Sequence, residues 1–86
     1  MGSYKVIVKT SAQKELRKIP GDDVKRIIKV IAKLSENPRD YGCIKLTTED
    51  KYRVRCGDYR IMYFIDDASN VVDVFKIGDR KDIYRI

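Results

Sequence analysis

The stretch KYRVRCGDYRIMY, Lys51 to Tyr63, gathers cationic side chains in a pattern suited to phosphate chemistry. It reads as strand, tight turn, strand. Lys51, Arg53 and Arg55 alternate with Tyr52, Val54 and Cys56, so the cations share one face of the first strand. Arg53 and Arg55 then stand about 7 Å apart along it. That is close to the roughly 6–7 Å between successive phosphates of an extended nucleic acid strand. Like charges side by side on a sheet repel, so folding alone has no use for them. The plainer alternative is a solvated face with ion pairs to nearby acids. Arg60 weighs against it. It shares a strand face with Met62 and Phe64, at the core edge, where an arginine is paired or positioned for use. The tail adds Arg80, Lys81, Tyr84 and Arg85. A tyrosine there is ordinarily a packing residue. Beside Arg53, Arg55, Arg60 and Arg80, however, tyrosinate is favoured and the phenol pKa falls from about 10. Tyr84 could then act as a general base or stack on a nucleobase.

The elements that must position these groups are few. The chain has 86 residues, which predicts one domain spanning 1–86, with a thin core. Lys and Arg number 19 against 13 Asp and Glu, a net charge of +6. That attracts polyanions: nucleic acid, an anionic membrane surface or an acidic protein segment. The absence of histidine rules out Ser-His-Asp triads, His-based acid–base catalysis and His-ligated zinc. Cys43 and Cys56, without CxxC spacing, read as reduced and buried thiols, and no metal or other cofactor is called for. No membrane span or signal peptide is legible, so the cytoplasm is the expected location.

Tyr4 to Thr10 alternates as a strand. Thr10 followed by Gln13 predicts a capping box for a helix to about Lys18, stopped by Pro20. Asp22 or Asp23 is the predicted cap of a second helix. Its stripe of Val24, Ile27, Ile28, Ile31 and Leu34 packs on something flat. After Gly42 come CIKL, then KYRVRC and YRIMYFI joined at Gly57-Asp58, then VVDVFKIG beyond the DDASN loop. The tail offers Ile83 and Ile86 as anchors. The fold class is α+β: two N-terminal helices packed on one face of a small, mostly antiparallel twisted sheet.

In this order the segments resemble the RelE branch of the RelE/ParE toxin superfamily over essentially the whole chain. The telling parts are NP(R) after the second helix, KL before the central strand, YRVRCGDYRIMYFI, VVDVFKIGDR and the closing IY. The resemblance implies a compact fold like that of microbial ribonucleases. It implies a toxin that enters the ribosomal A site and cuts mRNA there without a metal. The 2′-OH of one nucleotide attacks the adjacent phosphate, leaving a 2′,3′-cyclic phosphate and a 5′-OH. Arg53 and Arg55 match two basic residues of the family's central strand, often Lys there. Arg60 matches the Arg of the G-x-Y-R turn, Arg80 the Arg after the last long strand, and Tyr84 the tail Tyr. The implied roles follow. Tyr84 or a basic residue takes the 2′-OH proton, and Arg60 and Arg80 stabilise the phosphorane. Arg53 or Arg55 grips the scissile phosphate and aids the leaving 5′-oxygen, a role in which Arg is a poor substitute for Lys as an acid. Lys51, Lys81 and Arg85 extend the RNA-binding surface. The implied partners are the 70S ribosome with its mRNA and a cognate antitoxin, in a toxin–antitoxin hetero-oligomer, with no membrane.

Two departures stand out. TTED replaces the family's basic, glycine-containing turn, which puts Glu49 and Asp50 close to the cationic strand, and the chain ends two residues after Tyr84. Two other functions suit the same fold. One is a ParE-like inhibitor of DNA gyrase, without nuclease activity. The other is a non-catalytic module that only binds antitoxin or RNA.

Overall fold

The structure, a computed structural model, describes residues 3–39, 43–46 and 51–79. The order is β1 (Lys5–Val8), α1 (Thr10–Arg17), α2 (Gly21–Glu36), β2 (Cys43–Lys45), β3 (Lys51–Cys56), β4 (Tyr59–Asp66) and β5 (Val71–Asp79). One five-stranded sheet runs β1-β5-β4-β3-β2. All neighbours are antiparallel except β1 and β5, which run parallel because the two helices intervene between β1 and the meander. This is the expected α+β architecture, with one parallel pair that the local pattern did not reveal.

One face of the sheet is apolar and carries the helices. Alternation along β4 sends Ile61, Tyr63 and Ile65 inward, and β5 adds Val72, Val74 and Ile77. Ala12 of α1 and Ile27, Ile31 and Leu34 of α2 close over them. At about 25 cal/mol per Å² of apolar surface, each buried Ile or Val contributes roughly 1.5–3 kcal/mol.

Several expectations need correction. The capping box at Thr10 does not form. Lys9 is the N-cap, because its N–H is already drawn to the Val74 carbonyl at 2.9 Å by the β1–β5 pairing. The Gln13 amide donates instead to the Val8 carbonyl at 2.8 Å. Neither Asp22 nor Asp23 caps α2. Pro20 is its N-cap, and both carboxylates sit in the first turn, where the helix dipole favours them. Ile28 is 51% exposed, so it lies outside the buried stripe, and Val30 packs against the core instead. The two cysteines are free but only half-buried. Burial pushes the Cys56 thiol up. The expected anchors Ile83 and Ile86, and the acids Glu49 and Asp50, lie outside the described residues.

A polar clasp holds the end of the sheet away from the basic strand turn. Arg39 donates to both carboxylate oxygens of Asp67, at 3.0 and 2.7 Å, and its Nε donates to the Tyr52 hydroxyl at 3.1 Å. The Tyr4 hydroxyl donates to Asp67 at 2.8 Å. The segment after α2, the β4–β5 loop and the chain start are thereby tied together. Hydrogen bonds from Arg39, then from Tyr4, hold the Asp67 carboxyl below the usual carboxylate range. A depressed folded-state pKa contributes stability that is present above the unfolded value, 3.8, and is lost as pH falls through the folded one. Asp67→Asn is therefore expected to lower the urea midpoint at pH 7 and to remove part of its decline below about pH 4. Parallel midpoint-versus-pH curves for the two proteins would contradict this.

Candidate RNA-binding face

The opposite face of the sheet has no helix over it among the described residues, and the pattern of β3 decides its character. With Tyr52 buried against the core, Lys51, Arg53 and Arg55 must point the other way. The register then builds rows across the sheet. Arg55 faces Arg60, and Arg60 faces Gly78. Arg53 faces Met62, which in turn faces Lys76. Ile44, 52% exposed, lies on the far side of Arg53.

Arg60 differs from its neighbours. It is 2% exposed, the one charged residue among the described buried ones, and it is held by a partner within the fold. A guanidinium in such a place keeps its charge, is fixed in position and acts through a lower effective dielectric than water. Arg55 directly opposite is exposed. Like charges facing each other across a ladder cost about 0.2–1 kcal/mol, a cost that a bound anion would reverse. What this arrangement can do chemically is hold an anion at one end of the sheet, with one buried cation and several more accessible ones.

Lys76 is the residue that sequence patterning missed. Simple alternation puts it on the core side with Val72 and Val74. A bulge between Met62 and Tyr63 pairing makes Phe75 the extra residue, which restores Ile77 to the core and turns Lys76 outward. The signal was present: a lysine two residues past Val74 cannot sit in a core this small. The bulge also brings the rings of Phe64 and Phe75 to 4.7 Å, tilted at 40°. The Lys51 ammonium lies 5.3 Å from the centroid of the Phe64 ring.

Arg53, Arg55, Arg60 and Lys51 thus share one face. Arg80, Lys81, Tyr84 and Arg85 lie outside the described residues. No cluster of three or more metal-ligating side chains occurs among the described residues, and none of the described helices is long and apolar enough to cross a membrane.

Comparison with known proteins follows the same lines. The family described as "ParE toxin of type II toxin-antitoxin system, parDE" matches residues 6–84. Toxin RelG of Mycobacterium tuberculosis is 30% identical over 84 residues, which cover 95% of this chain and 97% of that protein. The chain belongs to the RelE/ParE superfamily, as a RelE-like toxin of a type II toxin–antitoxin system. Among solved structures, the toxin–antitoxin complex RelBE2 from M. tuberculosis is similar, with a TM-score of 0.80 and 27% identity over 91% of this chain and 99% of that one. The archaeal RelE–RelB complex from Pyrococcus horikoshii gives a TM-score of 0.78 and 26% identity, over 91% and 96% of the two chains. RelE-like toxins thus share the two-helix, five-strand layout that sets Arg53, Arg55 and Arg60 side by side here.

Proposed function

We propose that this toxin is a metal-independent endoribonuclease that cleaves mRNA in the ribosomal A site and so arrests translation. The observation that carries this is the row Arg55–Arg60 with Arg53 and Lys76 beside it, one guanidinium buried and the others reachable, on a face that no described helix covers. The 2′-OH of one nucleotide attacks the adjacent phosphorus, and the P–O5′ bond breaks, giving a 2′,3′-cyclic phosphate and a 5′-OH. Arg60, with Arg80, stabilises the negative charge that grows on the phosphorane oxygens. Arg53 and Arg55 hold the phosphate in line. Tyr84, as tyrosinate, is assigned the proton of the 2′-OH, which an arginine, always protonated, cannot take, and the departing 5′-oxygen takes its proton from solvent. Lys51, Lys81 and Arg85 hold the flanking RNA. Cleavage takes place on cytoplasmic ribosomes.

The partner that restrains it is an antitoxin with an acidic, amphipathic segment that neutralises the basic face in a hetero-oligomer. The RelBE2 and archaeal RelE–RelB structures, each a toxin with its antitoxin, support this assignment. A second reading has its own support, since the matching family bears the ParE name. On it, the toxin inhibits DNA gyrase and cuts nothing. Programmed ribosomes with a defined A-site codon distinguish the two. A cut within that codon ending in a cyclic phosphate, with gyrase supercoiling unaffected, is the expected result. Intact mRNA with inhibited supercoiling would replace the nuclease by the gyrase inhibitor.

A further inference from the structure

Beside the basic face lies a cleft of about 420 Å³, lined by Ser11 and Glu15 of α1 and by Phe75, Lys76, Ile77 and Gly78 of β5. It exists because β1 ends at Val8. The second half of β5 has α1 along its outer edge instead of a strand.

Its walls are chemically mixed. The Phe75 ring is backed by Phe64 at 4.7 Å. The Ser11 hydroxyl donates to the Phe75 carbonyl at 3.1 Å, which leaves its oxygen free to accept. Glu15 is half-buried and makes only a long, exposed ion pair with Lys18, at 3.9 Å. Its carboxylate can therefore accept from an amino group inside the cleft. Gly78, on the wall, is the register partner of Arg60. The Gly78 wall of the cleft thus stands about one strand spacing, ~5 Å, from the Arg60 backbone. A nucleotide sets its base one sugar away from its phosphate, a span of the same order.

We propose, building on the RNA-cleaving function above, that this cleft takes the unpaired base of a nucleotide flanking the phosphate held by Arg53, Arg55 and Arg60, stacked on Phe75. Cations at the rim and a carboxylate within suit a nucleotide, with its anionic phosphate and amino-bearing base. They do not suit an acidic peptide, which Glu15 repels. Stacking on an aromatic ring is sequence-tolerant and typically changes affinity about tenfold per base.

The test is a binding titration of a short fluorescent single-stranded RNA in which each nucleotide in turn is made abasic. Wild type is expected to lose about tenfold in affinity at one position and little elsewhere. Phe75→Leu is expected to bind intact RNA about tenfold more weakly and to ignore that abasic position, while Phe75→Tyr behaves as wild type. The scan on wild type needs no variant, so a misfolded Phe75→Leu protein does not spare the proposal. If Arg53→Gln and Arg55→Gln weaken RNA binding but the abasic scan is flat, the base cleft is overturned and the nuclease assignment stands. If RNA binding is indifferent to the arginines as well, both fall. A flat scan together with weakened capture of an acidic antitoxin peptide by Phe75→Leu would make the cleft a peptide site and would also overturn the proposal.

Discussion

Arg60→Gln is expected to slow mRNA cleavage on programmed ribosomes by about 10²–10³-fold, the usual cost of removing one preorganised donor to a developing oxyanion. On the proposed mechanism the loss should fall mainly on kcat, because the charge assigned to Arg60 for stabilisation is larger in the phosphorane than in the bound phosphate. Burial underlies the size of the expected effect: at 2% exposure the field of Arg60 is little screened by solvent. Arg55, directly opposite but exposed, sets the contrast. Arg55→Gln should raise KM several-fold and leave kcat closer to wild type. Arg60→Lys keeps the charge and loses the planar fork, so an intermediate rate is expected. Because Arg60 is buried and engaged within the fold, circular dichroism and thermal melting must accompany the kinetics. A folded Arg60→Gln protein with full kcat would remove Arg60 from the mechanism.

The second large effect is on stability. Tyr63 is fully buried at the centre of the sheet, with its ring stacked on Tyr52 at 5.9 Å between centroids. Its hydroxyl donates to the Pro38 carbonyl at 2.6 Å. Burial pushes the Tyr63 phenol well above its ordinary value, so it remains a neutral donor throughout the physiological range. Tyr63→Phe removes the hydrogen bond and leaves a carbonyl unpaired, at a cost of about 1–2 kcal/mol. Tyr63→Ala also opens a cavity in the core, and the total reaches about 3–5 kcal/mol. For a chain of this size that lowers Tm by on the order of 20 °C. Urea denaturation of the three proteins measures both steps. Equal midpoints for Tyr63→Phe and wild type would show that the Pro38 carbonyl gains nothing from its partner.

The site was most legible where alternation and charge agreed. In β3, Tyr52, Val54 and Cys56 could only face inward if Lys51, Arg53 and Arg55 faced out, and the face follows from that. Arg60 was read as lying at the core edge, and it is 2% exposed, a degree of burial that the local pattern does not give. In β5 a bulge at Phe75 interrupts the period of two, which hid both Lys76 and the Phe64–Phe75 pair. The parallel pairing of β1 with β5 joins residues more than sixty positions apart, and no local pattern encodes it. That same pairing engages Lys9 and displaces the expected cap at Thr10. Arg39 was legible only as part of a family motif. Its task, a bidentate clamp on Asp67, depends on a loop 28 residues away.

The most direct test of the central claim uses programmed ribosomes and an mRNA carrying a single 2′-deoxy nucleotide on the 5′ side of the scissile phosphate in the A-site codon. Purified toxin is expected to cut the all-ribose message within that codon, leaving a 2′,3′-cyclic phosphate, and to leave the deoxy message intact at that position. Cleavage of the deoxy message at the same bond would exclude the 2′-OH as nucleophile, and no cleavage of either message would exclude ribosome-dependent RNA cutting as the toxin's activity.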